Sequence, residues 1–142
     1  MSYQSKEHKN KSLINKEYKI FLNKKEFGTS KLDKGDASMG TVFGKIDFKD
    51  KNYGYSQIKR YCKENNVKLA MDYPNEKMIS TMTLNELKVI NEKGIEIKGV
   101  GNQITGMDSE GYEISIFGIP YPFYETEFPN LVKEYKNQFK EK

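Results

Sequence analysis

The carboxylates of one glycine-rich segment are the side chains of this chain best suited to chemistry. Residues 27–44 read FGTSKLDKGDASMGTVFG and hold four glycines and two aspartates, Asp33 and Asp36, on either side of Gly35. Such a density of glycine indicates a backbone that turns sharply or lies close to another group. Because binding groups concentrate on exposed loops held by a rigid scaffold, we expect a working surface here.

Three uses of these carboxylates stay open. The first is carboxylate-dependent or metal-assisted hydrolysis by Asp33 and Asp36, which Asp108 or Glu110 could join. The segment lacks the longer series of oxygen donors and the closing glutamate of an EF-hand. The second use is turn formation through Asx-type hydrogen bonds, and the third is charge presented to a protein partner.

Other catalytic residue types are scarce. His8 is the only histidine and Cys62 the only cysteine. With one histidine and one cysteine, a Ser-His-Asp or Cys-His site and a histidine-rich zinc site are disfavoured. The glycines match neither GxGxxG nor a Walker loop, so we expect no nucleotide site. We predict no cofactor and no metal site, with a metal ion required only by the metal-assisted hydrolase alternative. We interpret Cys62 as a small core residue, and a single cysteine fits a reducing, cytoplasmic location.

Aromatic side chains are the second abundant feature, with ten tyrosines and eight phenylalanines. Tyr121, Phe123 and Tyr124 lie on a segment stiffened by two prolines, which we predict to be extended from Gly118 to Tyr124. These rings either pack the last helix onto a sheet or form a rigid aromatic surface, and tyrosine is enriched at binding hot spots. Both interpretations stay open.

The charge of the chain is unevenly distributed. Residues 1–25 carry seven lysines and two glutamates, a net charge of +5, whereas the remainder carries 17 basic and 18 acidic side chains, a net charge of −1. We predict that residues 1–15 form a disordered basic leader and that residues 16–142 form a single domain. A near-neutral body without a cationic face predicts no specific nucleic-acid binding by that body, although the leader offers a route to polyanions. No apolar run is long enough to span a bilayer, so no membrane association is expected.

The hydrophobic pattern predicts an α+β fold with a largely antiparallel sheet of about seven strands and two helices. Alternation predicts strands near Tyr18–Leu22, 26–32, 40–48, 67–73, 78–82 and 112–117, with a short isolated strand at Ile104. Spacings of three and four predict a helix over 53–65 and a C-terminal helix that begins near Pro129. The expected buried stripe of the last helix is Leu131, Val132, Tyr135 and Phe139.

Residues 83–99 fit two structures. Thr83 and Glu86 resemble a capping box, which would begin a helix that ends at Gly94. The alternative is a hairpin that pairs 87–89 with 95–97, and we favour it because Ile95-Glu-Ile97 alternates strongly and needs a neighbouring strand.

Two segments together resemble a family of small bacterial proteins of the polymorphic-toxin immunity type. They are FGTSKLDKGDASMGTVFGKI at 27–46 and GIPYPFYETEFPNLVKEYKNQF at 118–139. Ala37 and Ser38 stand where relatives carry prolines, and residues 50–110 contribute nothing to the resemblance. It implies a non-enzymatic, cytoplasmic protein that neutralises a cognate toxin by direct binding.

A toxin partner fits the acidic segment, because nuclease toxins have basic clefts that an acidic loop complements. We therefore predict a partner-binding surface rather than a catalytic site. Its predicted residues are Asp33, Lys34, Asp36, Met39, Tyr121 and Tyr124.

Overall fold

A computed structural model describes residues 16–140 of the chain. The predicted basic leader, residues 1–15, lies outside the described residues. The strands are β1 (Tyr18–Leu22), β2 (Lys25–Ser30), β3 (Lys34–Asp36), β4 (Thr41–Lys45), β5 (Asp47–Phe48), β6 (Leu69–Tyr73), β7 (Met78–Thr81), β8 (Leu87–Ile90), β9 (Gly101–Met107) and β10 (Gly111–Phe117). The α-helices are α1 (Tyr55–Glu64), α2 (Phe123–Glu127) and α3 (Pro129–Lys140), and short 3-10 turns occupy Ala37–Met39 and Pro74–Glu76.

These elements confirm the predicted α+β class and its antiparallel pairing. The ten strands exceed the seven or so predicted, and they divide between two sheets with the orders β5-β2-β1-β8 and β3-β4-β10-β9-β7-β6. Every strand pair in both sheets is antiparallel. The buried apolar side chains of the described residues form one cluster.

The smaller sheet is built on β1. Tyr18, Ile20 and Leu22 are buried while Lys19 is exposed, which is the alternation of a strand with one face in the core. β1 pairs with β2 through a tight turn at Asn23 and Lys24, both with positive φ. The predicted strand at 18–22 and its hairpin partner are therefore confirmed.

The larger sheet is built on β10, whose inward side chains meet those of both neighbours. Ile114 lies opposite Ile104 of β9, and Ile116 lies opposite Val42 of β4. β9 is longer than the short strand predicted at Ile104, and it is not isolated, since it pairs with β10 and β7. Because β9 is rich in polar residues and glycines, its sequence lacks the alternation of apolar and polar residues that predicts a strand. Hydrogen bonds to two neighbouring strands hold it in place.

The strand predicted over 40–48 divides at Ile46, so that β4 joins the larger sheet and β5 the smaller one. Gly44 precedes this division as a close-contact point. A Cβ atom there would lie 2.8 Å from the backbone nitrogen of Leu32. The two sheets thus meet along a chain segment where only glycine fits.

Helix α1 forms as predicted, with Tyr55, Ile58 and Cys62 buried. Its N-cap residue is Gly54, which has no side chain to cap the helix. The Oδ1 atom of Asp108 instead accepts a hydrogen bond from the backbone nitrogen of Tyr55 at 2.9 Å. Asp108, which lies in the turn before β10 and is distant in sequence, therefore caps α1.

Residues 87–97 form the favoured hairpin rather than a helix. The Ile97 nitrogen donates to the Val89 carbonyl at 2.7 Å, and the Asn91 nitrogen donates to the Ile95 carbonyl at 2.9 Å. The returning segment, residues 95–97, is not itself a strand. Its ladder pairing with β8 consists of one bridge, between Ile90 and Glu96.

The C-terminal segment differs from the prediction in two places. The extended connector ends at Pro122, after a cis Tyr121–Pro122 peptide bond, because α2 begins at Phe123. In α3, Leu131 and Val132 are buried as predicted, whereas Phe139 is 58% exposed. The buried stripe is shorter than predicted, since the helix runs past the edge of the core.

Candidate protein interface at the β3 edge

The predicted acidic loop is an edge strand followed by a single 3-10 turn. β3 pairs with β4, with Lys34 opposite Phe43 and Asp36 opposite Thr41. All three residues of β3 are exposed. We use the name β3 surface for Asp33, Lys34, Asp36, Met39 and Tyr121.

Asp36 organises the turn that follows β3. Its Oδ1 atom accepts hydrogen bonds from the backbone nitrogen of Ser38 at 3.1 Å and from the Ser38 hydroxyl at 2.6 Å. This confirms the Asx-type interpretation for Asp36, and the carboxylate remains exposed to solvent. An aspartate held in one orientation loses little side-chain entropy when a partner binds it.

Gly35 holds β3 tightly against the rest of the fold. A Cβ atom at this position would lie 2.3 Å from the carbonyl oxygen of Thr41 and 3.1 Å from Cδ1 of Leu131 in α3. The strand therefore lies against the backbone of β4 and the Leu131 side chain of α3 with no room for a side chain at Gly35. The acidic residues on either side of Gly35 stand on a rigid support.

Tyr124 does not belong to the β3 surface, which corrects the sequence prediction. Its side chain is fully buried, and its hydroxyl donates to the Thr41 carbonyl at 2.8 Å. Burial raises the pKa of this phenol to about 12. Tyr124 packs the helical segment onto the sheet because a ring of this size fills the space beneath β3.

Tyr121 lies above Tyr124 and is 49% exposed. The two rings are stacked with their centroids 5.2 Å apart, and the Tyr121 hydroxyl donates to the Ala37 carbonyl at 2.7 Å. Partial burial, and then the nearby charges of Glu125 and Asp36, raise the pKa of the phenol. Tyr121 is thus a fixed ring beside the acidic turn, with one face available to a partner.

Met39 ends the 3-10 turn and is 67% exposed. Gly40 follows with φ 63°, and a Cβ atom there would lie 2.5 Å from the carbonyl oxygen of Ile119. The Ile119 nitrogen also donates to the Gly40 carbonyl at 2.9 Å. The turn that carries Met39 is therefore clamped to the segment that carries Tyr121.

Helix α3 adds residues that the sequence did not predict for this surface. A groove of about 400 Å³ separates the turn from the helix, and its polar lining includes Asp36, Ser38, Glu134 and Gln138. Glu134 also lines a second groove, of about 380 Å³, together with Asp33. The sequence places Glu134 on the outer face of a helix, but no pattern in it indicates that this face adjoins β3.

The charges of this region are mixed, with a small acidic excess. Asp33, Asp36 and Glu134 are exposed around the two grooves, Lys34 lies between the aspartates, and Lys16, Lys31 and Glu127 line the second groove. Exposed charges of one sign raise the rate at which an oppositely charged surface associates. Aromatic and methionine side chains, such as those of Tyr121 and Met39, are enriched at protein interfaces.

The other carboxylates considered for hydrolysis lie elsewhere. Asp108 accepts hydrogen bonds from the Tyr55 nitrogen and, at 2.8 Å, from the Tyr112 hydroxyl. It lies where β10 begins, whereas Asp36 lies beside Thr41 near the end of β10. Among residues 16–140, no group of three or more His, Cys, Asp or Glu side chains is placed to hold a metal ion. The structure therefore does not bring Asp108 to Asp33 and Asp36.

Cys62 lies in the core, and burial raises the pKa of its thiol to about 11. This agrees with its predicted role as a small core residue. In the part of the chain that the structure describes, we find no helix with the length and apolarity needed to cross a membrane.

Comparison with protein-family models, with curated proteins and with solved structures finds no match for this chain. The description of the α+β fold and of the β3 surface therefore rests on the structure of this chain alone.

Proposed function

We propose that this chain is a non-enzymatic protein-binding module, an immunity protein that neutralises a cognate bacterial toxin by direct binding. The observation that carries the proposal is the β3 surface itself, where exposed aspartates, a methionine and a fixed tyrosine share one rigid support. The resemblance of residues 27–46 and 118–139 to immunity proteins names the class of partner.

The charge of the surface favours a cationic partner. Asp33, Asp36 and Glu134 complement a basic cleft of the kind that a nuclease uses to hold phosphates. Tyr121 and Met39 supply apolar contact area next to these charges, and Gly35 fixes the geometry before binding. Little ordering is required on association, which favours affinity.

The test uses the product of a toxin-bearing gene adjacent to the gene for this chain. Co-expression is expected to restore the growth of cells that produce the toxin, and the purified proteins are expected to form a complex. A toxin that neither binds this chain nor is neutralised by it contradicts the proposed function.

A second measurement locates the interface. In the double variant Asp33→Lys/Asp36→Lys, we expect association to slow by about tenfold and to lose most of its salt dependence. The matched control is Asp47→Lys/Asp50→Lys, which changes the net charge equally on the strand and turn at β5. Like Asp36, Asp50 accepts a hydrogen bond from a backbone nitrogen two residues later, at 2.9 Å. Equal association rates for the two double variants contradict a role for the β3 surface.

A further inference from the structure

The larger sheet has one buried face and one face that meets solvent. Along β10, Tyr112, Ile114 and Ile116 are buried, whereas the residues that alternate with them are half-buried or exposed. This alternation is that of an antiparallel sheet with one face on the core and the other towards water. We call the face that bears Ser115 and Phe117 the open face.

The helices and the smaller sheet pack against the buried face. Asp72, which lies opposite the buried Ile79, accepts a hydrogen bond from the Tyr55 hydroxyl of α1. Gly35 and Gly44, which approach α3 and the segment after β2, lie on the same face. The open face is therefore the side of the sheet turned away from these elements.

Methionine is concentrated on the open face of β6, β7 and β9. The register places Met78 between Tyr73 and Met107. Met82 follows β7 on the same face, because it alternates with the buried Thr81. With Met71, four of the six methionines of the chain share this face. We call the following side chains the methionine patch: Met71, Tyr73, Met78, Met82 and Met107.

A pair of hydroxyl groups lies within the methionine patch. Ser80 lies opposite Met71 on one side and opposite Thr105 on the other. The Ser80 hydroxyl donates to the Thr105 hydroxyl, and Ser80 is only 7% exposed although it lies on the open face. Covering the patch therefore does not leave the Ser80 hydroxyl without a partner, which would otherwise cost free energy.

The methionine patch is uncharged and accessible. On the open face of β6, β7 and β9 the register places only Met, Tyr, Ser, Gln and Thr side chains, in a chain of which 31% of the residues are charged. Tyr73 is 51% exposed and Met82 52%. Lys68 lies at the border of the patch, where its carbonyl accepts a hydrogen bond from the Met82 nitrogen at 2.9 Å. Apolar surface that is depleted of charge and enriched in methionine and aromatic rings is typical of the centre of a protein interface.

One row of opposing residues joins the β3 surface to the methionine patch. Lys34 of β3 lies opposite Phe43, Phe43 lies opposite Ser115, and Ser115 lies opposite Gln103. The register of β7 on β9 then places Met82 opposite Gln103. Four spacings between neighbouring strands of about 4.8 Å separate β3 from β7 by about 19 Å. A standard interface takes about 800 Å² from each partner, an area about 28 Å across, so one partner covers both regions.

We propose that the methionine patch is the apolar centre of the interface with the toxin and that the β3 surface is its charged rim. This inference rests on the proposed function, and it adds the chemistry of the partner. The toxin presents an apolar face, flanked on one side by the basic residues that meet Asp33 and Asp36. The five residues of the β3 surface are too few for the whole interface, since each side of a standard interface contributes about 20 to 30 residues.

The two regions contribute to different rate constants. Charges at a rim act mainly on the rate of association, whereas contacts at an apolar centre act mainly on the rate of dissociation. Changes in the methionine patch are therefore expected to differ in kind from the slower association expected for Asp33→Lys/Asp36→Lys.

Substitutions of both charge signs at Met82 test the proposal, with binding of the full chain to the toxin of the adjacent gene measured by surface plasmon resonance. In Met82→Glu and in Met82→Lys we expect the dissociation constant to rise by about tenfold or more, because each variant buries a charge at an apolar centre. At a rim position, a cationic partner would instead bind the glutamate variant more tightly than the lysine variant. Met82 is exposed enough for both changes to leave the core intact, and circular dichroism checks the fold.

The matched controls are Ile95→Glu and Ile95→Lys, on a 46% exposed apolar side chain in the hairpin that follows β8. We expect them to change the dissociation constant by less than about threefold, since charges far from an interface are screened by salt. Tyr73→Glu and Tyr73→Lys repeat the test on the other side of the methionine patch, so the outcome does not depend on one position.

The outcomes separate this inference from the proposed function. A toxin that binds the wild type and both Met82 variants equally overturns the inference and leaves the proposed function intact. Tighter binding of Met82→Glu than of the wild type also overturns it, since that result places Met82 in the rim. A toxin that does not bind the wild type contradicts the proposed function, and this inference falls with it. Sedimentation velocity of the chain alone covers a second copy as the occupant: a dimer that Met82→Glu dissociates, with toxin binding unchanged, overturns the proposal.

Discussion

Asp36 and Asp108 lie near opposite ends of the larger sheet, and each accepts a backbone hydrogen bond where a helical segment begins. Within residues 16–140, Asp36 accepts hydrogen bonds from Ser38 alone, two residues further on. Asp108 bonds to Tyr55 and Tyr112, and so ties α1 to the beginning of β10. The same type of side chain therefore stabilises a local turn at Asp36 and a tertiary contact at Asp108.

This difference shows which carboxylate is available for recognition. Removing Asp108 would affect the packing of a helix, whereas changing Asp36 would affect one exposed turn. A residue that is needed for the fold cannot be substituted freely to suit a different binding partner. The acidic residues of the β3 surface carry no such constraint, which supports their assignment to binding.

The largest expected effect comes from Asp108→Ala. It removes the acceptor for the Tyr55 nitrogen and leaves the buried Tyr112 hydroxyl with only the Lys77 carbonyl, at 3.3 Å. We expect the free energy of unfolding to fall by about 2 to 3 kcal/mol, as measured by urea denaturation. Asp108→Asn keeps an acceptor oxygen and should lose less. A loss below about 0.5 kcal/mol for Asp108→Ala would contradict the tertiary role of this carboxylate.

Two glycines next to these turns, Gly35 in β3 and Gly111 at the start of β10, provide the next comparison. Gly35→Ala forces a Cβ atom against the Thr41 carbonyl, and we expect a loss of about 2 kcal/mol from overpacking. At Gly111, with φ 89°, the nearest atom to a new Cβ would be Nζ of Lys45 at 3.5 Å. Gly111→Ala should therefore lose only about 1 kcal/mol, from backbone strain.

Substitution by asparagine distinguishes overpacking at Gly35 from backbone strain at Gly111. Gly111→Asn should recover part of the loss, because asparagine tolerates positive φ, whereas Gly35→Asn should be at least as unstable as Gly35→Ala. Thermal unfolding of the four variants measures this order. If asparagine helps equally at both positions, steric contact does not explain Gly35.

Much of the fold follows from the sequence pattern where burial alone determines an element. Tyr18, Ile20 and Leu22 alternate, and Tyr55, Ile58 and Cys62 recur at helical spacing, so β1 and α1 were predicted correctly. β9 was underestimated because hydrogen bonds to two neighbouring strands hold its polar residues. Such pairing leaves no hydrophobic period in the sequence.

The candidate site was predicted in part for the same physical reason. Local chemistry, such as an aspartate beside a glycine, correctly indicated the exposed turn at Asp36. The burial of Tyr124 and the approach of Glu134 depend on how α2 and α3 pack against β3, which residues close in sequence do not encode.

Asp108 should also make stability depend on alkaline pH. Burial, and then the hydrogen bond to Asp108, raise the pKa of the Tyr112 phenol above its ordinary value. At a pH above about 10, the unfolded chain releases this proton while the folded chain retains it, so stability falls as the pH rises. Asp108→Asn removes the negative charge and lowers the pKa of Tyr112 in the folded state, so stability should fall less steeply above about pH 10. Urea midpoints at several pH values measure the two slopes, and equal slopes would exclude the Asp108 contribution.

Asp36 should give the smallest effect on stability. Asp36→Ala removes the cap of an exposed 3-10 turn, and we expect a loss of no more than about 1 kcal/mol in urea denaturation. Asp36→Asn keeps the acceptor for the Ser38 nitrogen and should match the wild type within about 0.5 kcal/mol. A loss from Asp36→Ala as large as that from Asp108→Ala would remove the distinction between the two turns, since Asp36 would then be a structural residue. The proposed interface requires the opposite result, because a side chain free to meet a partner contributes little to the fold that carries it.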